Sequence, residues 1–296
     1  MKVILAEAYG MCFGVQQALK QTHAITHPGE VTLFGELVHN AEVNAQLRAK
    51  GFQQMGESGR TQIPATSSVL ITAHGISHHE RQRLQDAGKQ LIDTTCPLVK
   101  KIQQAAQDLS AMGFYILFLG KPGHAEVCGI MDDIPDGEVI SGLTDVRCYE
   151  SPRLGILCQS TLQPDTTQAI LEEIRRLNPD KLIHFVDTIC QPTKQRQQAV
   201  KKLLPQIDVL LVVGGQNSNN TRQLVQLAQS QDKPVFHIQN VEDIQADWFT
   251  PSQVIGLTAG TSTPEYVVMQ VWQYMEQLNQ NLTLNEVHHE YYHKTA

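Results

Sequence analysis

The sequence predicts an α/β protein built from three similar units on mostly parallel sheets. Three observations point that way. Short apolar runs alternate with amphipathic stretches along the whole chain. Cysteines return at near-equal intervals, Cys12 and Cys96 being 84 residues apart and Cys96 and Cys190 94. The latter two also share a context, Asp93-Thr94-Thr95-Cys96-Pro97 and Asp187-Thr188-Ile189-Cys190-Gln191-Pro192.

Taken in order, an N-terminal strand precedes Cys12 and is expected to complete the third unit. Apolar runs at 31–34, 69–72, 114–119, 155–157, 182–186, 209–213 and 254–257 read as strands. Amphipathic stretches at 15–25, 77–87, 99–112, 165–177, 193–204, 222–230 and 264–278 read as helices. Ser77 with Glu80 three residues on has the capping-box pattern. Thr263-Pro264-Glu265 offers a cap, a first-turn proline and a first-turn acid. The joints are placed near the cysteines, giving units 13–96, 97–190 and 191–281 with strand 1–12, and a tail at 282–296. His289 and His293 in that tail have a metal-like i,i+4 spacing, but its composition reads as a polar terminus.

Bulk properties narrow the function. A chain of 296 residues with 41% hydrophobic content can bury a core in more than one domain. Six cysteines are too few for a disulfide scaffold. Glu7 interrupts the first apolar run, which breaks a signal-peptide core, and no run reaches membrane-span length. The expectation is a soluble, cytoplasmic protein with reduced thiols and no membrane partner. A net charge of −7 argues against a broad nucleic-acid surface.

In parallel α/β units, ligands sit at the carboxyl ends of strands. The unusual residues lie in loops of that kind. After Cys12 come Val38-His39-Asn40 and Ala73-His74-Gly75. After Cys96 come Gly123-His124-Ala125-Glu126 and Gln159-Ser160-Thr161. After Cys190 come Asn217-Ser218-Asn219-Asn220 and Ala259-Gly260-Thr261-Ser262. Three thiolates brought to one point would suit a metal or an iron–sulfur cluster with one position open for substrate.

These segments, with Gly10-Met11-Cys12-Phe13-Gly14-Val15, closely resemble the motifs of the 4-hydroxy-3-methylbut-2-enyl diphosphate reductase family, in order from residue 10 to about 264. That family closes the methylerythritol phosphate route to isoprenoids. The resemblance implies a trefoil of three α/β domains around a 4Fe–4S cluster held by Cys12, Cys96 and Cys190. It implies a reaction in which two electrons and two protons remove an allylic hydroxyl as water, giving isopentenyl and dimethylallyl diphosphates. Glu126 would supply the proton, with Ser160 at the reacting hydroxyl and His124 beside it. His39, His74, His124, Ser218, Asn220 and Ser262 would hold the diphosphate, with Asn219 and Thr161 close by. Ferredoxin or flavodoxin would deliver the electrons.

Chemistry supports these roles independently. Hydroxide leaves poorly, so an acid is needed beside it, and Glu126 is the acid inside these loops. Neutral imidazoles, hydroxyls and helix N-termini can hold a diphosphate without Arg or Lys. Three positions depart from the family pattern: Ser160 and Asn219 stand where threonine and serine are common, and Ala125 where proline is. Cys128, Cys148 and Cys158 miss the repeat and read as buried small hydrophobes. Three other readings stay open: a paralogue with the same cluster and another substrate, a non-enzymatic iron–sulfur sensor, and zinc on the three thiolates.

Overall fold

A computed structural model describes residues 1–294. The chain opens on β1 (Lys2–Leu5) and α1 (Phe13–His23). It continues through β2 (Val31–Phe34), α2 (Ala41–Ala49), β3 (Gln53–Gln54), β4 (Ser68–Ile71), α3 (His78–Asp86) and β5 (Gln90–Asp93). Next come α4 (Pro97–Ala111), β6 (Tyr115–Leu119), α5 (Ala125–Met131), β7 (Gly137–Ile140), β8 (Arg153–Cys158), α6 (Pro164–Leu177) and β9 (Leu182–Phe185). The last stretch carries α7 (Gln191–Leu203), β10 (Val209–Val213), α8 (Asn219–Gln229), β11 (Val235–Ile238), β12 (Val254–Ala259) and α9 (Glu265–Lys294).

Among the described residues the strands form three four-stranded sheets, ordered β3-β2-β4-β5, β7-β6-β8-β9 and β11-β10-β12-β1. Every pairing is parallel. Counted along the chain, with β1 as the fourth strand of the last sheet, all three share the order second-first-third-fourth. The repeat expected from the cysteines is therefore present in the topology, and β1 joins the third sheet beside β12, with Val3 opposite Ile255.

Contacts divide the chain into two compact units. One comprises Met1–Cys12, His39–Ala41 and the chain from Gln195 on, and holds the sheet containing β1. The other comprises Phe13–Val38 and Glu42–Lys194, and holds the other two sheets.

Central strands are buried on both faces, as parallel sheets between helices require: all five residues of β10 and all four of β2 are buried. The helices turn apolar stripes to them. In α4, Val99, Ile102, Ala106 and Leu109 are buried at helical spacing, and Pro97 opens the helix behind Cys96. Ser77 caps α3 by accepting the Glu80 N–H at 3.0 Å, as expected, and its hydroxyl donates to Asp132 at 2.5 Å. His78 and His79 are exposed, their N–H groups held by Asp133.

The structure corrects three expectations. Helix α9 runs to Lys294 rather than to residue 278 because no Gly or Pro interrupts it. The side chains of His289 and His293 lie outside the described residues. The Thr263 hydroxyl donates to the Val213 carbonyl at 3.0 Å, tying α9's start to β10 rather than capping the helix. Cys158 is buried as expected, but Cys128 and Cys148 are exposed. Cys128 sits on the open side of the short α5, and Cys148 lies in a loop with its thiol on the Leu177 carbonyl. No helix among the described residues is long and apolar enough to cross a membrane.

Candidate active site

The shared strand order puts a switch point beside the first and third strands of each sheet, where ligands of open parallel sheets bind. The loops singled out in the sequence follow those strands, and each repeat cysteine follows a fourth strand. None of the three cysteines is in a disulfide, and all three are half-buried. Each makes the same backbone hydrogen bond within its own repeat. Cys12 N–H donates to Thr261 O, Cys96 N–H to Ala73 O and Cys190 N–H to Ser160 O, all at 3.0 Å. The thiols are thus presented from equivalent strand ends.

In the unit with two sheets, Glu126 is the central feature. It lies in the first turn of α5 and is 2% exposed. Ser160 donates to it twice, from its N–H to Oε1 at 2.6 Å and from its hydroxyl to Oε2 at 2.7 Å. Burial raises the Glu126 pKa above its ordinary value, and these two hydrogen bonds offset only part of that. The side chain is thereby biased toward its protonated form. Through its carbonyl, Ser160 also holds the Cys190 N–H, so one residue joins the acid to a repeat cysteine.

His124 caps α5, its Nδ1 accepting the Glu126 N–H at 3.2 Å. That bond leaves Nε2 as the protonated ring nitrogen. The His74 ring meets it edge-on, with centroids 5.3 Å apart and planes at 90°. Thr161 follows Ser160 and is half-buried. Gln159, fully buried, accepts the Lys121 N–H at 2.9 Å and so fixes the loop ahead of His124.

In the unit with β1, Ser218 caps α8 by accepting the Thr221 N–H. Its hydroxyl lies 3.4 Å from that of Ser262, which also donates to the His39 carbonyl. Asn220 accepts the Thr261 N–H at 2.9 Å and thereby fixes the loop that carries both Ser262 and the carbonyl bound by Cys12. Ser218, Asn219, Asn220 and Ser262 are all buried. A helix N-terminus ringed by neutral hydroxyls and amides attracts anions without paired cations.

Several supports escaped the sequence reading. Gly14 lies against Cys96: a Cβ there would come within 2.6 Å of its Sγ, so the missing methyl leaves room for that sulfur. Thr193 Oγ1 lies 3.1 Å from Cys190 Sγ. Asp93 binds the Thr95 N–H and hydroxyl and pairs with Lys100 at 2.9 Å and Arg81 at 3.0 Å. Burial raises its pKa, but the bonds from Thr95 and Lys100 and the Arg81 charge outweigh that and bring it to about 2. Only the Asp-Thr-x-Cys spacing hinted at this role.

Would these residues suit an iron–sulfur cluster? The donor set does: three cysteines outside any disulfide at equivalent strand ends, with space cleared beside one of them by Gly14.

Fold and site together define a parallel α/β protein of three like sheets, with a cysteine after each fourth strand and an acid buried beside one of them. The chain belongs to the LytB protein family, whose model matches residues 3–276. It is 36% identical over 274 residues to the 4-hydroxy-3-methylbut-2-enyl diphosphate reductase of Dictyoglomus turgidum, covering 92% of this chain and 95% of that one. To the enzyme of the same name from Aquifex aeolicus it is 32% identical over 277 residues, covering 91% and 94%. Among solved structures, the E-1-hydroxy-2-methyl-but-2-enyl-4-diphosphate reductase of Plasmodium falciparum superposes with a TM-score of 0.85 at 25% identity, over 92% of this chain and 87% of that one. A (E)-4-hydroxy-3-methyl-but-2-enyl diphosphate reductase gives 0.65 at 31% identity, over 94% and 100%.

Proposed function

We propose that this chain reduces 4-hydroxy-3-methylbut-2-enyl diphosphate to isopentenyl and dimethylallyl diphosphates. The C–O bond to the allylic hydroxyl breaks, two electrons and two protons are taken up, and water leaves. The observation that carries the reading is Glu126: an acid buried, biased toward its protonated form and clamped by Ser160, which also holds the Cys190 backbone.

Cys12, Cys96 and Cys190 would hold a 4Fe–4S cluster. When bound, such a cluster supplies electrons one at a time and an iron not held by cysteine that acts as a Lewis acid. The chain's own residues do the rest. Glu126 donates the proton that lets the hydroxyl leave as water, and Ser160 keeps the carboxyl oriented and extends the relay by its own hydroxyl. His124, with its proton on Nε2, and His74 donate toward the diphosphate. Ser218, Asn219, Asn220 and Ser262 bind the same group from the α8 N-terminus, with His39. Thr161, next in the chain to Ser160, would contact the substrate beside it. The joints between the repeats 13–96, 97–190 and 191–281 would fall near the cysteines, and a small carrier such as ferredoxin or flavodoxin would supply the electrons.

The test is anaerobic. The reconstituted chain, given the hydroxylated diphosphate and a reduced viologen dye, should oxidise the dye in step with substrate loss. Cys→Ser at 12, 96 or 190 should abolish this, and Cys→Ser at 128 or 148 should not. A wild-type chain that takes up iron and sulfide yet oxidises no dye overturns the reading.

A further inference from the structure

The three repeat cysteines are held by two different devices. Before Cys96, at the third position upstream, Asp93 folds back on the Thr95 N–H and pairs with Lys100, the fourth residue after the cysteine. Before Cys190, Asp187 binds the Ile189 N–H at 3.2 Å and pairs with Lys194 at 2.6 Å, again at the fourth position after. At the corresponding positions around Cys12 stand Tyr9 and Gln16. Neither is charged, so the Asp–Lys brace cannot form.

Arg196 takes its place by another route. Its side chain, 7% exposed, reaches from α7 to the loop ahead of Cys12. Nε donates to the Gly10 carbonyl at 2.9 Å, and one terminal nitrogen donates to the same carbonyl at 2.6 Å and to the Tyr9 carbonyl at 3.3 Å. The N–H groups of the same loop are taken from the other side, Gly10 by Ala259 O at 3.1 Å and Cys12 by Thr261 O at 3.0 Å. Gly10 has φ +67°, a left-handed conformation that turns its carbonyl and that other residues adopt only with strain. A planar guanidinium can grip two successive carbonyls where an ammonium grips one point.

We propose that Arg196 is the positioning residue of Cys12, replacing the aspartate–lysine brace that serves Cys96 and Cys190. The proposal deepens the cluster reading and rests on Cys12 being a ligand there. It touches no substrate; it acts by fixing the backbone from which one thiolate is presented.

The experiment reads each cysteine separately. The full-length metal-free chain is alkylated under reducing conditions and the rate at each thiol is followed by peptide mass spectrometry. Arg196→Met should raise the Cys12 rate about tenfold and leave Cys96 and Cys190 within about twofold, the scale on which outer supports of metal ligands act. Arg196→Lys keeps the charge but loses the fork, and should give a smaller rise confined to Cys12. Asp187→Asn should show the converse, a rise at Cys190 alone. An unchanged Cys12 rate, or an equal rise at all three thiols, overturns the proposal. If Arg196→Met does not fold, Arg196→Lys decides by the same criterion. Iron and sulfide per wild-type chain, measured alongside, separate the two readings. A wild-type chain that takes no cluster refutes the cluster, whereas the alkylation pattern still judges Arg196.

Discussion

Ser160 grips Glu126 with both of its donors, its N–H on one carboxyl oxygen at 2.6 Å and its hydroxyl on the other at 2.7 Å. Two short bonds would normally draw a carboxyl toward the ionised form. Burial wins here, and the Glu126 pKa lies above its ordinary value. On the proposed reading, the competition would serve a proton donor. Burial would keep the proton available, while the serine would fix its direction and steady the carboxylate left after transfer.

Glu126→Gln should therefore lower turnover by about 100-fold or more, the usual contribution of a general acid. Substrate binding should persist, because glutamine keeps size and polarity. Stability gives an independent check. A carboxyl whose pKa is raised by folding contributes stability below its unfolded pKa and loses it as pH rises through the folded value. The metal-free wild type should thus lose melting temperature from acid toward neutral pH relative to Glu126→Gln. Matching melting profiles would mean that Glu126 titrates normally.

Ser160→Ala removes the hydroxyl bond but keeps the N–H bond. Turnover should fall by up to about tenfold, the scale of one hydrogen bond to a neutral group, and less than in Glu126→Gln. Ser160→Thr restores the hydroxyl and should be close to wild type. Steady-state kinetics on the three variants would show the ranking; a Thr variant as poor as the Ala variant would mean that the hydroxyl is not what matters.

The contact between Gly14 and Cys96 yields a prediction of another kind. Gly14→Ala would place a methyl carbon 2.6 Å from Sγ and 3.3 Å from Cβ of Cys96. The sulfur must move, so anaerobic iron content should fall below about half of wild type even though no ligand is altered. Iron and sulfide analysis decides it, and full loading would show that the sulfur has room to shift.

His74 meets the His124 ring edge-on, so its loss should affect binding before chemistry. His74→Ala should raise the Michaelis constant about tenfold, as for one lost bond to a charged group, with cluster content unchanged. Inorganic diphosphate should compete with substrate in the wild type, and more weakly in the variant. Inhibition that is equal in both would place the diphosphate elsewhere.

The central strands and long helices could be read from the sequence because burial on both faces leaves an unbroken apolar run, as in β10 and β2. The strands that escaped were β3, β5, β7 and β11, all at sheet edges. Edge strands are half solvated and need no such run: β3 is two glutamines, and β5 is exposed or half-buried throughout. Helix α5 escaped because it has only seven residues, too few to display a period, although its cap His124 and its acid Glu126 stood out as chemistry. Within the candidate site, the loops were legible because Cys, His and Asn recur there in a fixed rhythm. Gly14 and Arg196 were not. A glycine beside a sulfur and an arginine reaching a loop 186 residues upstream leave no local pattern.

The central claim is that the allylic hydroxyl, and not the diphosphate, leaves the substrate. Product analysis tests it most directly. The anaerobically loaded chain is incubated with 4-hydroxy-3-methylbut-2-enyl diphosphate and a reduced dye, and the mixture is resolved by mass spectrometry, with Glu126→Gln run beside it. The account predicts isopentenyl and dimethylallyl diphosphates, no inorganic diphosphate, and a trace of either product in the variant. Unconsumed substrate in the presence of a full cluster, or release of inorganic diphosphate, would contradict it.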